Sequence, residues 1–463
     1  MYEPQNLNDT IVSLGTPFAM SAIGVVRLSG PAAIDIVNRC FEKADLRKQN
    51  SHTMQLGTLK DGSRELDQVM VSIFKAPNSY TGQDSVEISA HGSPFILEEI
   101  VRLFIKNGAR HATEGEYTMR AYLNGKMDLA QAEAVADLIA SESEATHRMA
   151  IHQLKGGFSR ELENLRSKLI EFTSLLELEL DFSEEDVEFA DRDKLSELIS
   201  EINIKTKSLI DSFKWGNAIK KGIHVAIIGK PNVGKSTLLN ALLQEDRAIV
   251  SEIPGTTRDT IEEVLHIQGV LFRIVDTAGI RQHSTDKIEN LGIQRAIENA
   301  EKAQIILHVH DLNESHIQNS HHEFSWLRPY ENKIISVYNK YNVWRYNNVE
   351  QNVQFNAEYS SICIDAKDGF GLDQLKNLIF QKVPGKHNLH SGTVITNVRH
   401  LEILQEMLIS TQEIENGIVN KISGELLTSD IRRSLHLIGL LTGKVEIDKD
   451  ILGSIFGRFC IGK

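Results

Sequence analysis

GKPNVGKS, Gly229 to Ser236, holds two glycines, a lysine and a serine at the spacing G-x-x-x-x-G-K-S. A β-rich run, HVAIIG, leads into it and a helical run follows, the setting in which this spacing cradles phosphate. Glycines let backbone N–H groups wrap phosphate oxygens, and the helix N-terminus adds the positive end of its dipole. The expected nucleotide contacts here are Asn232, Val233, Gly234, Lys235, Ser236 and Thr237. Lys235 would neutralise charge on the β- and γ-phosphates, and the Ser236 hydroxyl is a ligand for Mg2+. A second contacting segment, Ser251, Glu252, Ile253, Pro254, Gly255, Thr256 and Thr257, overlaps GTTRD and offers Thr257 as another hydroxyl for the metal. DTAG (Asp276, Thr277, Ala278, Gly279) ends a hydrophobic run, as suits an aspartate holding the Mg2+ shell and a glycine bonding the γ-phosphate. Asn339, Lys340 and Asn342 of NKYN, then Asp365, Ala366 and Lys367 of DAK, follow strand-like runs where base-contacting loops belong. These five segments, in this order and spacing, predict a nucleoside-triphosphate hydrolase built as a G domain.

Three details depart from a generic site. In a G domain the last residue of Asn-Lys-x-Asp is an aspartate that accepts hydrogen bonds from guanine N1–H and the exocyclic amine; here it is Asn342. One guanine donor would then face the Asn342 amide donor, and an unsatisfied buried polar group costs about 1–3 kcal/mol. That is roughly 5- to 150-fold in affinity, and xanthine would suit the asparagine better. The phosphate contacts are unaffected by this change. Ile280 follows DTAG, so the water-positioning glutamine of many GTPases is missing and hydrolysis needs another way to orient water and neutralise charge. The side-chain oxygen of Asn232 can hold a monovalent cation that does the electrostatic work of an arginine finger; equally, Asn232 can simply shape the loop.

The elements that must position these residues emerge from the patterning of the 463-residue chain, a length for about three domains. Residues 1–126 mix short β-rich runs (Ile23 to Leu28, Val69 to Phe74, Val86 to Ser89) with one expected helix, Phe95 to Asn107, and read as α+β. From 127 to 221 the pattern is helical, with Leu129, Ala132, Ala136 and Ile139 on one face. Between 222 and 383, HVAIIG, FRIVD, QIILHVHD and KIISVYN alternate with helical stretches, the signature of a parallel sheet with crossover helices. Helix returns over 384–463, where Leu427, Ile431, Leu435 and Ile438 form an apolar stripe. An α/β unit flanked by helical segments suggests one discontinuous helical domain with a G domain inserted in it.

Composition bounds the setting. A 41% hydrophobic and 24% charged chain is an ordinary globular one, and no stretch approaches the roughly 18 to 20 apolar residues of a membrane span. MYEPQNLNDT lacks a signal-peptide pattern, and Cys40, Cys363 and Cys460 imply no disulfide framework, so the expectation is cytoplasmic with no membrane association. A formal charge of −13 argues against non-specific adhesion to nucleic acid without excluding RNA as a substrate. Eleven acids between Glu177 and Glu201 read as a solvated loop and helix start, or as a docking surface for a basic partner. HIQNSHH, His316 to His322, matches no metal spacing and reads as an exposed helix face.

Two further stretches carry the pattern beyond the G domain: SYTGQDSVEISAHG (Ser79 to Gly92) with EYTMRAYLNGKMDLAQAEAVADLI (Glu116 to Ile139), and the terminal FCIGK (Phe459 to Lys463). Together they resemble the MnmE (TrmE) family of tRNA-modification GTPases over nearly the whole chain. The resemblance implies a multidomain α/β protein: an α+β tetrahydrofolate-binding N-terminal domain that dimerises, a discontinuous helical domain, and an inserted Ras-like P-loop G domain. It implies a homodimer that joins a flavin-dependent (FAD) MnmG-type protein in a heterotetramer. The pair would add a carboxymethylaminomethyl or aminomethyl group at C5 of the wobble uridine of tRNA, taking the carbon from a one-carbon tetrahydrofolate and using GTP. It implies K+ stimulation, with Asn232, Ser251, Ile253 and Thr256 as ligands, and a catalytic glutamate at Glu289 in KIENLGI. The segment from DTAG to Glu289 is one residue longer than is typical of the family.

Folate contacts implied by the family fall on Arg27, Glu87, Lys126 and Lys463. A pterin offers amide-like donors to a carboxylate such as Glu87, while the carboxylates of the folate tail suit Arg or Lys. The family's Gly/Arg-rich loop is replaced here by TPFAMSAIG, residues 16–24. Cys460 evokes a prenylation box, which Gly462 and Lys463 fit poorly; the resemblance makes it an acid or nucleophile in the one-carbon step. A competing reading is an RNA- or ribosome-binding GTPase switch without modification chemistry, for which FCIGK and the N-terminal motifs would have no use. A third, a degenerate G domain that only scaffolds, rests on Asn342 alone.

Overall fold

The computed structural model describes residues 8–181, 191–246, 263–275, 289–313, 325–347, 360–385, 393–445, 447, 449–457 and 459–462. The chain divides into two compact units. One comprises Met1–Ala140, Ala150–Thr206 and Glu402–Lys463; the other comprises Ser141–Met149 and Lys207–Leu401. The division falls inside the helix Arg192–Lys221.

In the first unit, strands β1 (Ile11–Leu14), β2 (Ile23–Ser29), β3 (Phe41–Glu42), β4 (Thr53–Asp61), β5 (Arg64–Phe74), β6 (Ser85–His91) and β7 (Arg110–His111) form one sheet in the order β3-β4-β5-β6-β2-β1-β7. The pairs are antiparallel except β1 with β7. Alternation explains the faces: Val26, Leu28, Val69, Val71, Ile73, Val86 and Ile88 are buried in one cluster with Ile36, Leu97, Ile100 and Phe104 of the helices Ala33–Cys40 and Pro94–Lys106. Their sequence neighbours Arg27, Ser72 and Glu87 alternate with them and so belong to the opposite face. The register sets Arg27 directly across from Glu87.

The helix Glu116–Leu123 is anchored by charge as well as by packing. Glu116 and Arg120, 1% and 0% exposed, pair with each other, and Arg110 and Asp9 complete the network. Burial opposes ionisation of Glu116, but donors from Arg110, the Thr113 backbone and Arg120 outweigh it and hold its carboxyl down at about 2.

The helical part of this unit departs from the simple stripes. In Leu129–Ile139 the residues Leu129, Ala130, Ala132, Glu133, Ala134 and Val135 are buried, whereas Ile139 is 48% exposed. The first half of this helix is covered on most sides, so burial there does not follow a single face. In Gly424–Thr442 the buried line runs Leu427, Ile431, Ser434, Ile438 and Leu441, and Leu435 is only half-buried. Ser434 fits the core because its hydroxyl pairs with Ser410 Oγ at 2.9 Å. Phe456, which ends the helix Lys449–Phe456, and Phe459 join a cluster with Met119, Leu129 and Val135, and Ile461 bridges antiparallel to Glu114.

The second unit is a six-stranded sheet ordered β13-β12-β11-β8-β10-β9. Its strands are β8 (Ile223–Ile228), β9 (Glu263–Ile267), β10 (Val270–Val275), β11 (Ile305–Asp311), β12 (Ile334–Asn339) and β13 (Ser360–Cys363). All neighbours are parallel except the β9–β10 hairpin, whose turn residues Gln268 and Gly269 both have positive φ. The fully buried β12 has apolar clusters on both sides of the sheet, as a parallel core strand should. The chain leaves β8 with β10 on one side and β11 on the other, so the loop after β8 occupies a topological switch point, where ligands bind in open α/β sheets.

Candidate functional site

The loop after β8 carries the phosphate motif. Asn232 sits at φ +63, a left-handed conformation that asparagine tolerates better than most residues, and Gly234 sits at φ +99. A Cβ on Gly234 would lie 2.2 Å from Asn339 Nδ2, so the glycine is what lets the two loops meet. Lys235 opens the helix Lys235–Asp246, and its ammonium donates to the carbonyls of Gly229 (2.7 Å) and Lys230 (2.6 Å). Burial lowers the pKa of this ammonium. Ser236 is half-buried in the first turn and Thr237 is exposed beside it.

The loops expected to contact the base are tied to this one by side chains. Asn339, buried at the end of β12, donates to the Val233 carbonyl at 2.9 Å and accepts from the Ala366 backbone N–H at 3.0 Å. Lys340, at φ +66, donates to the Asn232 carbonyl at 3.0 Å and pairs with Asp311 at 2.6 Å. Burial works against ionised Asp311, yet the bonds from Lys340 and Asn313 hold its carboxyl below the usual range. The backbone N–H of Asn342 donates to Asp365 Oδ2 at 3.1 Å, and its side-chain amide donates to Asp368 Oδ2 at 2.8 Å. The rings of Tyr341 and Phe370 stack with centroids 5.0 Å apart. Asn232, Val233, Gly234, Asn339, Lys340, Asn342, Asp365 and Ala366 are thus drawn into one network, with Lys367 exposed at its edge.

The remaining G-domain expectations fall elsewhere. Ser251, Glu252, Ile253, Pro254, Gly255, Thr256, Thr257, Asp276, Thr277, Ala278 and Gly279 lie outside the described residues, as does the His316 to His322 run. Glu289 begins the helix Glu289–Lys302, with its side chain outside the described part. Among the described residues no three His, Cys, Asp or Glu side chains gather as a metal site.

In the other unit, Arg27 and Glu87 meet across the β2–β6 pair: Nε and Nη2 of Arg27 donate to Glu87 Oε1 at 2.9 and 2.6 Å. Arg27 Nη1 also reaches the Gly462 carbonyl at 3.5 Å, which brings the FCIGK tail to the same place. Gly462 has φ +99, and a Cβ there would lie 2.4 Å from the Leu14 carbonyl. Two aromatics complete the surroundings: the Arg27 guanidinium lies 5.7 Å from the Tyr80 ring centroid and 5.6 Å from that of Tyr117. Tyr117 donates from its hydroxyl to the Arg27 carbonyl at 2.7 Å, and burial pushes up its phenol pKa. Tyr80 and Tyr117 were not among the sequence candidates, although both lie in the quoted stretches SYTGQ and EYTMR.

Lys126 is turned to another partner, its ammonium donating to the Pro77 carbonyl at 2.9 Å. Cys460 is exposed on the tail, and Lys463 lies outside the described residues. The TPFAMSAIG loop is held at its ends, where the Val25 N–H donates to Thr16 Oγ1 and the Ser21 N–H to the Gly92 carbonyl. Its centre is open, with Met20 89% exposed. A carboxylate, a guanidinium and two aromatic rings fit a planar heterocycle bearing amide-like donors. No described helix is long and apolar enough to cross a membrane.

Comparison with known proteins places the chain in a family. The profile of the MnmE helical domain matches residues 129–460, and that of the GTP-binding protein TrmE N-terminus matches residues 10–126. The tRNA modification GTPase MnmE of Christiangramia forsetii is 46% identical, covering 99% of this chain and 100% of that protein. Proteins of the same name from Flavobacterium johnsoniae and Bacteroides thetaiotaomicron are each 47% identical, covering 98% of this chain and 99% of theirs. Among solved structures, the G domain of the T. maritima FeoB iron transporter matches 35% of this chain and 98% of its own, at 21% identity and a TM-score of 0.24. Over nearly its full length, the chain belongs to the MnmE (TrmE) family of tRNA modification GTPases.

Proposed function

We propose that this GTPase is stimulated by K+, requires Mg2+, and works as a homodimer with a flavin-dependent MnmG-type partner. Its role is to install an aminomethyl or carboxymethylaminomethyl group at C5 of the tRNA wobble uridine, with a one-carbon tetrahydrofolate as carbon source. The domains are 1–126 for folate and dimerisation, 127–221 with 384–463 for the helical domain, and 222–383 for the G domain. The observation that carries the reading is the convergence of Arg27, Glu87 and the Gly462 carbonyl, because a G domain acting as a simple switch has no use for it.

In the G domain, Lys235 exchanges its two carbonyl partners for phosphate oxygens when nucleotide enters. Asn339 keeps the base loops in register with the phosphate loop, and Lys340 covers one edge of the base. Ser236 and Thr257 would hold Mg2+; Asn232, Ser251, Ile253 and Thr256 would hold K+; the ions would offset charge developing on the phosphates. Glu289 would orient the attacking water, the work left open by Ile280. In the N-terminal domain, Glu87 accepts from the pterin edge, and Arg27 orients Glu87 while stacked near Tyr80 and Tyr117. Lys126 and Lys463 meet the carboxylate tail, and Cys460 serves as acid or nucleophile in the one-carbon step.

The test measures GTP turnover by the full-length protein in potassium and in sodium, with tetrahydrofolate binding measured alongside for the unaltered chain and Arg27→Ala. Faster turnover in potassium and folate binding abolished by the substitution are expected. Equal rates in both salts, with no folate bound by the unaltered chain, would overturn the reading.

A further inference from the structure

We infer that Asp368 is a specificity-determining residue for guanine, supplying with Asn342 the pair of acceptors that a single aspartate supplies in other G domains. The starting point is chemical. Guanine presents two donors side by side, N1–H and the exocyclic amine, and one carboxamide has one acceptor oxygen and one donor nitrogen. Left to itself, Asn342 would turn a donor toward a donor.

The structure removes that clash. The Asn342 Nδ2 donates to Asp368 Oδ2 at 2.8 Å. With its nitrogen engaged by a carboxylate, the amide is fixed in one of its two flip states, and Oδ1 is the atom free to face the base. The Asp368 carboxylate retains further lone pairs beside it, so the two side chains together present an acceptor–acceptor edge and the negative charge that Asn342 lacks.

The pair is held by more than its own bond. Asp365 is buried, accepts from the Asn342 N–H through Oδ2 at 3.1 Å, and accepts from the Lys367 N–H through Oδ1 at 3.2 Å. The Asp365 N–H bonds the Phe370 carbonyl, and the Gly369 N–H bonds the Asp365 carbonyl, which closes a tight loop around Asp368. The Tyr341 ring lies nearly parallel to that of Phe370, 9° apart, and so braces the loop against the Asn342 segment. Asn339 makes the fourth tie through Ala366. Both residues of the pair are exposed and so accessible to a base.

The experiment compares dissociation constants of GTP and XTP, measured with fluorescent analogues on the full-length protein, for the unaltered chain, Asp368→Asn, and Asn342→Asp combined with Asp368→Asn. Guanine loses a charged acceptor in the single variant, so GTP affinity should fall about 5- to 150-fold while XTP binding holds or improves. The double variant moves the carboxylate to position 342 and should recover most of the GTP affinity. GTP binding within twofold of the unaltered chain in Asp368→Asn would overturn the inference. Equal losses of GTP and XTP that the double variant does not rescue would overturn it too, since Asp368 would then only hold the loop in shape.

Discussion

Glu116→Gln tests how much of the N-terminal domain rests on one buried charge. The carboxyl titrates at about 2 instead of the ordinary 4.5. At about 1.4 kcal/mol per pH unit, its ionised form contributes about 3 kcal/mol near neutral pH. The sign follows from the depressed value: the contribution is fully present above 4.5 and fades as pH falls from 4.5 towards 2. By about pH 3 roughly 1 kcal/mol of it should remain. Glutamine keeps the shape but not the charge, leaving Arg110 and the fully buried Arg120 with only Asp9 between them. The assay is urea unfolding of the full chain at several pH values, followed by far-UV circular dichroism and by tryptophan fluorescence. All three tryptophans, Trp215, Trp326 and Trp344, lie in the second unit, so fluorescence is an internal control that should not respond. The dichroism transition of the first unit should weaken by about 3 kcal/mol at neutral pH, and the gap between variant and unaltered chain should narrow in acid. A gap of the same size at neutral and acid pH, or one smaller than about 1 kcal/mol throughout, would refute the reasoning.

Asn339→Ala strands the Val233 carbonyl and the Ala366 N–H, so GTP affinity should drop at least tenfold, read by nucleotide titration with folding checked by circular dichroism. Tyr117→Phe removes the bond to the Arg27 carbonyl; a loss of about 1 kcal/mol in stability and a few-fold weaker tetrahydrofolate binding are expected, the latter measured by calorimetry. Cys460→Ser should leave GTP turnover unchanged and slow tRNA modification, and a normal modification rate would remove the thiol from the mechanism.

The G domain was the most legible part of the sequence because its chemistry sits in short, contiguous strings. GKPNVGKS, NKYN and DAK each lie at the end of a strand or just after it, and local spacing suffices to place them. The strands were equally plain, since a parallel sheet buried on both faces writes itself as continuous β-branched runs. What escaped was everything that depends on side chains meeting across the fold. Nothing in the local sequence marks Asp368, whose bond to the Asn342 amide exists only in the fold. Tyr80 and Tyr117 are 37 positions apart in the chain yet flank the same guanidinium, a juxtaposition that only the fold of the sheet creates. Ser434 escapes any reading of a helix by apolar spacing, which cannot anticipate a serine satisfied by another serine. Ile139 misled in the opposite sense, an apolar residue at the right spacing in a turn that remains open to solvent.

The tail contact also constrains how such a chain is made. Arg27 and the Gly462 carbonyl are 435 positions apart, and the Glu114–Ile461 bridge also joins distant parts of the chain. During synthesis the sheet holding Arg27 and Glu87 leaves the ribosome long before the strand-like tail that finishes its surroundings. The second unit, translated in between, must reach its own fold without entangling the waiting half-built one. A nascent chain stalled before Phe459 would therefore hold the phosphate loop intact and the Arg27 site unfinished. A missing tail then leaves the surroundings of Arg27 and Glu87 incomplete while sparing the nucleotide site.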